Sequence, residues 1–320
     1  MVSLTKTVIS AGAGSIPWQL VRSSCAPVLT YHACFRSLPP GVAPVDSITP
    51  EALYEQLSVL KKHFRIVTID EFSQITAPRG IAAVTFDDGY KGVIEEALPV
   101  FVSLDVPVTI FVNTRSFEHK IFWRHKVVFI QQQGLVADCE AGFQAVRAVA
   151  GQDFYTYLKH PSNNSKRVEE ELDTFLQMKA LSPGDCNYVF DSPAYLIKHP
   201  LIWYGNHTHS HYVMSSLSFT EQLEEVRAAK AYLQEQQGIQ VSGVFSLPFG
   251  GTHHINRVTF TVLRELEYKT LAMNRGRVNI RLSNNYGIRI IERFSPVPQT
   301  LQLQIKKRFG ATVIRDHYGD

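Results

Sequence analysis

The sequence predicts an α/β fold: a mostly parallel sheet wound through seven or so β-α units, suited to a barrel and interrupted by a helical insertion. Three observations carry this. Short β-rich runs alternate with helical patterns from about residue 26 onward. The clearest run is continuously apolar, as a strand covered on both faces must be. The alternation lapses over residues 117–200 and then resumes.

Residues 27–31 read as the first strand. Thr49-Pro50-Glu51 then supplies an N-cap, a first-turn proline and an acidic first turn, opening a helix with Leu53, Leu57 and Leu60 on one face. Residues 65–69 return as a strand, and 81–86 form the apolar run, which stops at Asp87-Asp88-Gly89. A helix over 90–104 and a strand over 106–112 repeat the unit. The insertion follows, its clearest helix at 165–179 with Val168, Leu172, Phe175 and Leu176 on one side. Beyond it come a strand at 201–204, a helix over 220–237 ended by Gly238, a strand at 243–247, a helix over 255–266, and strands at 269–272 and 288–291. The domain division is an N-terminal extension, 1–25, and one domain, 26–320, with an inserted helical subdomain at 117–200.

Composition narrows the function classes. Of 320 residues, 45% are hydrophobic and 19% charged, which provides for a large core and argues against disorder or coiled coil. A net charge of +3 gives no nucleic-acid footprint, and no protein partner is expected. Residues 8–21 are interrupted by Gly12, Gly14, Ser15 and Pro17 and are too short to span a bilayer, which needs ~20 apolar residues. Residues 301–309, apolar at Leu301, Leu303, Ile305 and Phe309, read as a terminal helix packed on the barrel, with peripheral membrane docking as the alternative. The expected location is cytoplasmic or membrane-peripheral on the cytoplasmic side, with an extracytoplasmic site as the alternative. Cys25, Cys34, Cys139 and Cys186 have no C-x-x-C spacing and read as inert thiols.

Two segments carry chemistry: Thr85-Phe86-Asp87-Asp88-Gly89 and Asn206-His207-Thr208-His209-Ser210-His211. Both follow predicted strands, and in α/β barrels the loops leaving the carboxyl ends of strands share one mouth. An aspartate with two neutral imidazoles suits a borderline cation such as zinc and leaves a coordination position open. The second aspartate of the pair is then placed to accept a proton. Spacing leaves the histidines open. An extended segment would point His207, His209 and His211 to one face, whereas a turning one would join His207 with His211 and send His209 away.

These segments resemble the first two motifs of the polysaccharide deacetylases, carbohydrate esterase family 4, with its NodB-homology domain. Phe245-Ser246-Leu247-Pro248-Phe249-Gly250 resembles the third motif, normally an arginine followed by Pro-Tyr-Gly, and Val28-Leu29-Thr30-Tyr31-His32 resembles a strand seen in many bacterial members. The resemblance spans about residues 26–292 and implies a distorted (β/α)7, TIM-like barrel. It implies that Asp88, His207 and His211 bind a divalent metal, usually zinc, with cobalt, nickel or manganese as alternatives. Asp87 would be the general base, and the Phe249 backbone N–H an oxyanion donor. Thr208 would orient the metal loop. The implied reaction is hydrolytic N-deacetylation of an N-acetylhexosamine in a polysaccharide, oligosaccharide or glycolipid, with Tyr90, Pro248 and Tyr212 as candidate substrate contacts and Trp203 as packing in the barrel wall.

Two departures stand out. Ser246 occupies the place of the arginine that orients the catalytic aspartate, leaving Arg275, Arg289 and Arg293 as candidates for that task. The late leucine-x-histidine motif that supplies the general acid is absent, leaving His253, His254 and His32 near the motifs. These departures motivate an alternative, a non-catalytic glycan-binding or assembly protein on a decayed barrel. A second alternative is another metallohydrolase, since His207-x-His209 is similar to amidohydrolase and metallo-β-lactamase patterns.

Overall fold

A parallel strand covered on both faces has no reason to alternate polar and apolar residues, and the continuous runs of the sequence become such strands. The computed structural model describes residues 16–39, 42–142, 152–184, 188–298 and 300–318. Its curled sheet contains β1 (Val28–Tyr31), β2 (Ile81–Phe86), β3 (Val108–Val112), β4 (Ile202–Asn206), β5 (Gln240–Ser246), β6 (Thr270–Asn274) and β7 (Ile288–Arg293). Each pairs in parallel with the next. The two ends of the sheet meet at a Leu29–Phe294 bridge, where the Thr30 N–H donates to Phe294 O at 3.0 Å and the Phe294 N–H to Val28 O at 3.1 Å. Short strands Arg65–Ile66 and Ser283–Asn285 pair with β2 and β7.

One expected strand is mostly something else. The 65–69 segment pairs only over Arg65–Ile66, after which the Thr68 hydroxyl caps a helix, Ile69–Gln74, by accepting from the Glu71 N–H. Its Ile69 and Phe72 pack with Val28, Ala83, Phe111, Val244, Ala272 and Ile291 in one buried cluster, so this helix plugs the amino end of the barrel. The inward Phe111 ring has room because β4 carries Gly205, where a Cβ would lie 2.4 Å from it. The expected 90–104 helix also divides, into a π-helical turn, Val93–Ala97, and an α-helix, Leu98–Leu104. Pro99 lacks the N–H that would bond back to residue 95, which favours a wider turn before it.

The outer helices follow their local signals. Thr49 caps Pro50–His63 through Ala52, with Leu53, Leu57 and Leu60 buried, and Ser218 and Glu221 form a reciprocal capping box on Phe219–Glu235. Helix Leu301–Tyr318 buries Leu301, Ile305 and Phe309 and lies beside Trp18–Ser24 and Pro50–His63. Of the expected N-terminal extension, residues 1–15 lie outside the described residues, as do 143–151 and 185–187 of the insertion, including Cys186. No helix among the described residues is long and apolar enough to cross a membrane.

The insertion leaves the carboxyl end of β3 and returns to β4. It contains helices Trp123–Gln132, Val136–Gly142, Phe154–Leu158 and Ser165–Met178, with Val127, Ile130, Cys139, Leu158, Val168 and Leu172 buried. Its attachment between two strand ends places it beside the mouth of the barrel.

Candidate active site

Asp87 and Asp88 follow β2 directly, and the 207–211 loop follows β4. The loop turns sharply because nearly all its backbone donors have fixed partners. The Asn206 carboxamide oxygen accepts from the Thr208 N–H at 2.8 Å, and the Thr208 hydroxyl accepts from the His211 N–H at 2.9 Å. The Glu225 carbonyl and carboxylate accept from the His209 and Ser210 N–H groups, while the Asn113 amide donates to His207 O. Thr208 and His211 are thereby held at φ 68° and 58°, as Asp88 is at 71° and Phe249 at 61°. Such left-handed backbone costs ~1–3 kcal/mol per non-glycine residue and persists where the surroundings over-determine it.

The turn decides between the two histidine arrangements. The rings of His207 and His211 lie 4.9 Å apart, whereas His209 points away, its Nδ1 2.9 Å from Thr114 Oγ1 and its Nε2 3.4 Å from Glu118. Asp88 Oδ1 lies 3.4 Å from His207 Nε2 and 3.3 Å from His211 Nε2. It is buried and accepts no hydrogen bond. His207 Nδ1 sits 3.0 Å from Ser246 O, so that nitrogen donates and the Nε2 lone pair faces Asp88. Ligands ~2.1 Å from a shared tetrahedral ion stand about 3.4 Å apart, and Asp88, His207 and His211 have that spacing and chemistry. These three form a group able to hold a metal ion. Burial raises the Asp88 carboxyl, but the positive charge around it, Arg124 included, outweighs it and holds it well below the ordinary value. Burial pushes His211 well down, toward the neutral form a ligand requires.

Asp87 has different surroundings. Arg293, fully buried at the end of β7, donates from Nη1 to Asp87 Oδ1 and from Nη2 to Oδ2, both at 2.8 Å. The same guanidinium reaches Ser246 Oγ at 2.7 Å and Thr85 Oγ1 at 3.1 Å and lies over the Phe111 ring. Against the burial that raises it, Arg293 and then His207 lower the Asp87 carboxyl, keeping it ionised. Of the three candidate arginines, Arg275 instead pairs with Glu292, and Arg289 donates to Ser73 O. The serine in the third motif therefore shares an arginine delivered by another strand.

A cavity of about 480 Å³ opens over this group, lined by His32, Asp87, Tyr90, His207, His211 and Phe249 among others. The insertion adds Arg124, Tyr155 and Lys159 to its wall. Arg124 donates to Asp88 Oδ2 at 2.9 Å and to Asp46 Oδ2 at 2.7 Å, contacts with no signal in the motifs. Tyr90 is buried, with its hydroxyl 3.3 Å from His125 Nε2. Two expected substrate contacts stand elsewhere. Pro248 is buried off the cavity wall, and the Tyr212 hydroxyl donates to Glu169, accepts from Arg115 and borders a separate cavity. Tyrosine 212 follows His211, but the turn that aims the histidine inward aims its neighbour outward. Trp203 lies half-buried on β4. His253 is exposed, and His254 Nδ1 accepts from the Gly251 N–H at 3.2 Å.

Residues 74–137 match the family model for polysaccharide deacetylase. No curated protein matches the chain. Among solved structures, the chain is similar to the Streptococcus pyogenes deacetylase PplD in complex with acetate, with 16% identity, a TM-score of 0.53 and coverage of 90% of this chain and 99% of that one. IcaB from Ammonifex degensii gives 19% identity, a TM-score of 0.51 and coverage of 90% and 99%. BC0361, a polysaccharide deacetylase from Bacillus cereus, gives 16%, 0.51, 88% and 69%. At these identities the solved structures show a shared fold, and the match to the polysaccharide deacetylase model covers residues 74–137, the segment that carries Asp87 and Asp88.

Proposed function

We propose that this protein is a zinc-dependent N-deacetylase that hydrolyses the acetamide of an N-acetylhexosamine in a glycan or glycolipid. The observation that carries the reading is the buried, unbonded Asp88 Oδ1 facing the Nε2 atoms of His207 and His211, with the separately held Asp87 beside it. Asp88, His207 and His211 would hold the ion, which when bound supplies Lewis acidity toward water and the acetamide carbonyl. Asp87 takes the proton of the attacking water. Its Oδ1 accepts from Arg293 and from the Ser246 hydroxyl at 3.4 Å, while Oδ2 accepts from Arg293 and keeps a lone pair for that task. Arg293 thus fixes both the charge and the orientation of the base. The Phe249 N–H, on a turn held at positive φ, serves the developing oxyanion, a donor worth ~3 kcal/mol in such sites. His32, on the cavity wall after β1, returns a proton to the departing amine. The products are acetate and a hexosamine.

The missing third-motif arginine and late histidine favoured a decayed barrel; Arg293 on Asp87 speaks against the first of these motives, and the second is left to the proposed role of His32. The test is acetate release by zinc-reconstituted protein from N-acetylglucosamine oligomers and lipid-linked sugars, with Asp88→Ala in parallel. Release that vanishes in Asp88→Ala is the expected result. Equal release by both proteins would overturn the reading.

A further inference from the structure

The insertion contributes a second cation to the cavity besides Arg124, and this one has no acidic partner. Lys159 follows helix Phe154–Leu158, and its Nζ stands 4.6 Å from the centroid of the Tyr155 ring, with the Arg124 guanidinium 5.6 Å from the same centroid. No carboxylate among the described residues forms an ion pair with Lys159. The two acids closest in charge are committed elsewhere: Asp153 Oδ1 caps its own helix by accepting from the Thr156 N–H at 3.0 Å, and Asp46 is held by Arg124. On the opposite side, the Lys159 charge reaches His254, whose imidazole is pushed down to about 4 by burial first and Lys159 second. Lys159 lines the cavity together with His207, His211 and, from the loop after β5, Phe249 and Gly250, which places the ammonium between the insertion and that loop.

A half-buried ammonium is costly to leave without an acceptor. Burial and Arg124 already depress Lys159. An aromatic face offers it partial relief, which leaves its donors open for a charged acceptor carried by a ligand. We infer that Lys159 and Tyr155 form a subsite for an anionic group, carboxylate or phosphate, attached to or adjoining the N-acetylhexosamine, so that the insertion selects acidic glycans or sugar phosphates over neutral ones. The inference rests on the deacetylase reading for the identity of the sugar.

The experiment compares binding, by titration calorimetry of the zinc-loaded protein at low salt, of N-acetylglucosamine 1-phosphate, a glucuronate–N-acetylglucosamine disaccharide and the neutral methyl glycoside of N-acetylglucosamine. The expected result is about tenfold tighter binding of at least one charged compound than of the neutral one, a preference that collapses in Lys159→Met and returns in Lys159→Arg. The two charged compounds distinguish phosphate from carboxylate. Equal affinities in the parent, no binding of either charged compound, or a preference that survives in Lys159→Met would each overturn the subsite. Acetate release from neutral oligomers tests the deacetylase reading alone: release without charge preference defeats only the subsite, and charge preference without release from any sugar defeats only the reaction.

Discussion

Adjacent aspartates in this site are each gripped by an arginine, and the two grips differ. Arg293 comes from the barrel and binds both oxygens of Asp87, whereas Arg124 comes from the insertion and binds only Oδ2 of Asp88, dividing itself with Asp46. The first arrangement, joined by the Ser246 hydroxyl on Oδ1, immobilises a carboxylate and leaves it a lone pair on Oδ2. The second leaves one whole oxygen to two imidazoles. In the proposed reaction, identical side chains at neighbouring positions would acquire the separate tasks of base and ligand from the number of oxygens their arginines take. The barrel arginine is fully buried, while the insertion arginine retains some exposure and borders the cavity.

The largest effect should come from Asp87→Asn, which keeps shape but removes basicity. We expect acetate release to fall by about 10²–10⁴ with one metal still bound, as read by turnover and metal analysis. Arg293→Met leaves a buried carboxylate without its cation and should cost ~3–5 kcal/mol in denaturant unfolding. A third change probes the support beneath the histidine loop. Burial raises Glu225 from 4.5 to about 7, so the folded state holds its proton more tightly than the unfolded chain does. Its contribution is fully present below pH ~4.5 and fades as the pH rises toward 7, so stability falls across that window. Glu225→Gln keeps the acceptor for the Ser210 N–H and should flatten the slope, gaining at most ~3 kcal/mol relative to the parent at pH 8. Arg124→Met should be the mildest, ~2 kcal/mol in ion-free protein, because Asp46 has partial access to solvent. Zinc should recover more stability in Arg124→Met than in Arg293→Met, since it supplies Asp88 with a new partner; equal recovery would erase the contrast between the two arginines.

The sequence made the strand ends and the residues on them legible. Asp87-Asp88 and the 206–211 loop terminate apolar runs, and their joint placement follows from the barrel rule. The arginine behind the base was reduced to three candidates and no further, because the choice depends on strand facing. Arg289 and Arg293 share one face of β7, separated by Ile291, and only the latter lies at the carboxyl end beside Asp87. Tyr212 illustrates the opposite error, since nearness in sequence to His211 says nothing about direction once the chain turns at positive φ. The contact of Arg124 with Asp88 and the place of Lys159 on the cavity wall were not legible, because helical periodicity reports which face is buried, not which distant loop it meets. The helix at Ile69–Gln74 was missed because a short β-rich run and a capped helix start overlap at Thr68.

The seam of the barrel links these chemical groups to its mechanical behaviour. Arg293 is followed at once by Phe294, whose backbone is hydrogen-bonded to β1, and β1 in turn pairs with the strand that ends at Asp87. Any opening between the first and last strands would therefore draw the guanidinium away from Asp87. Deuterium uptake at the Thr30 and Phe294 amides would time that opening without touching the catalytic groups. On the proposed mechanism, barrel breathing and loss of an oriented base would be one event.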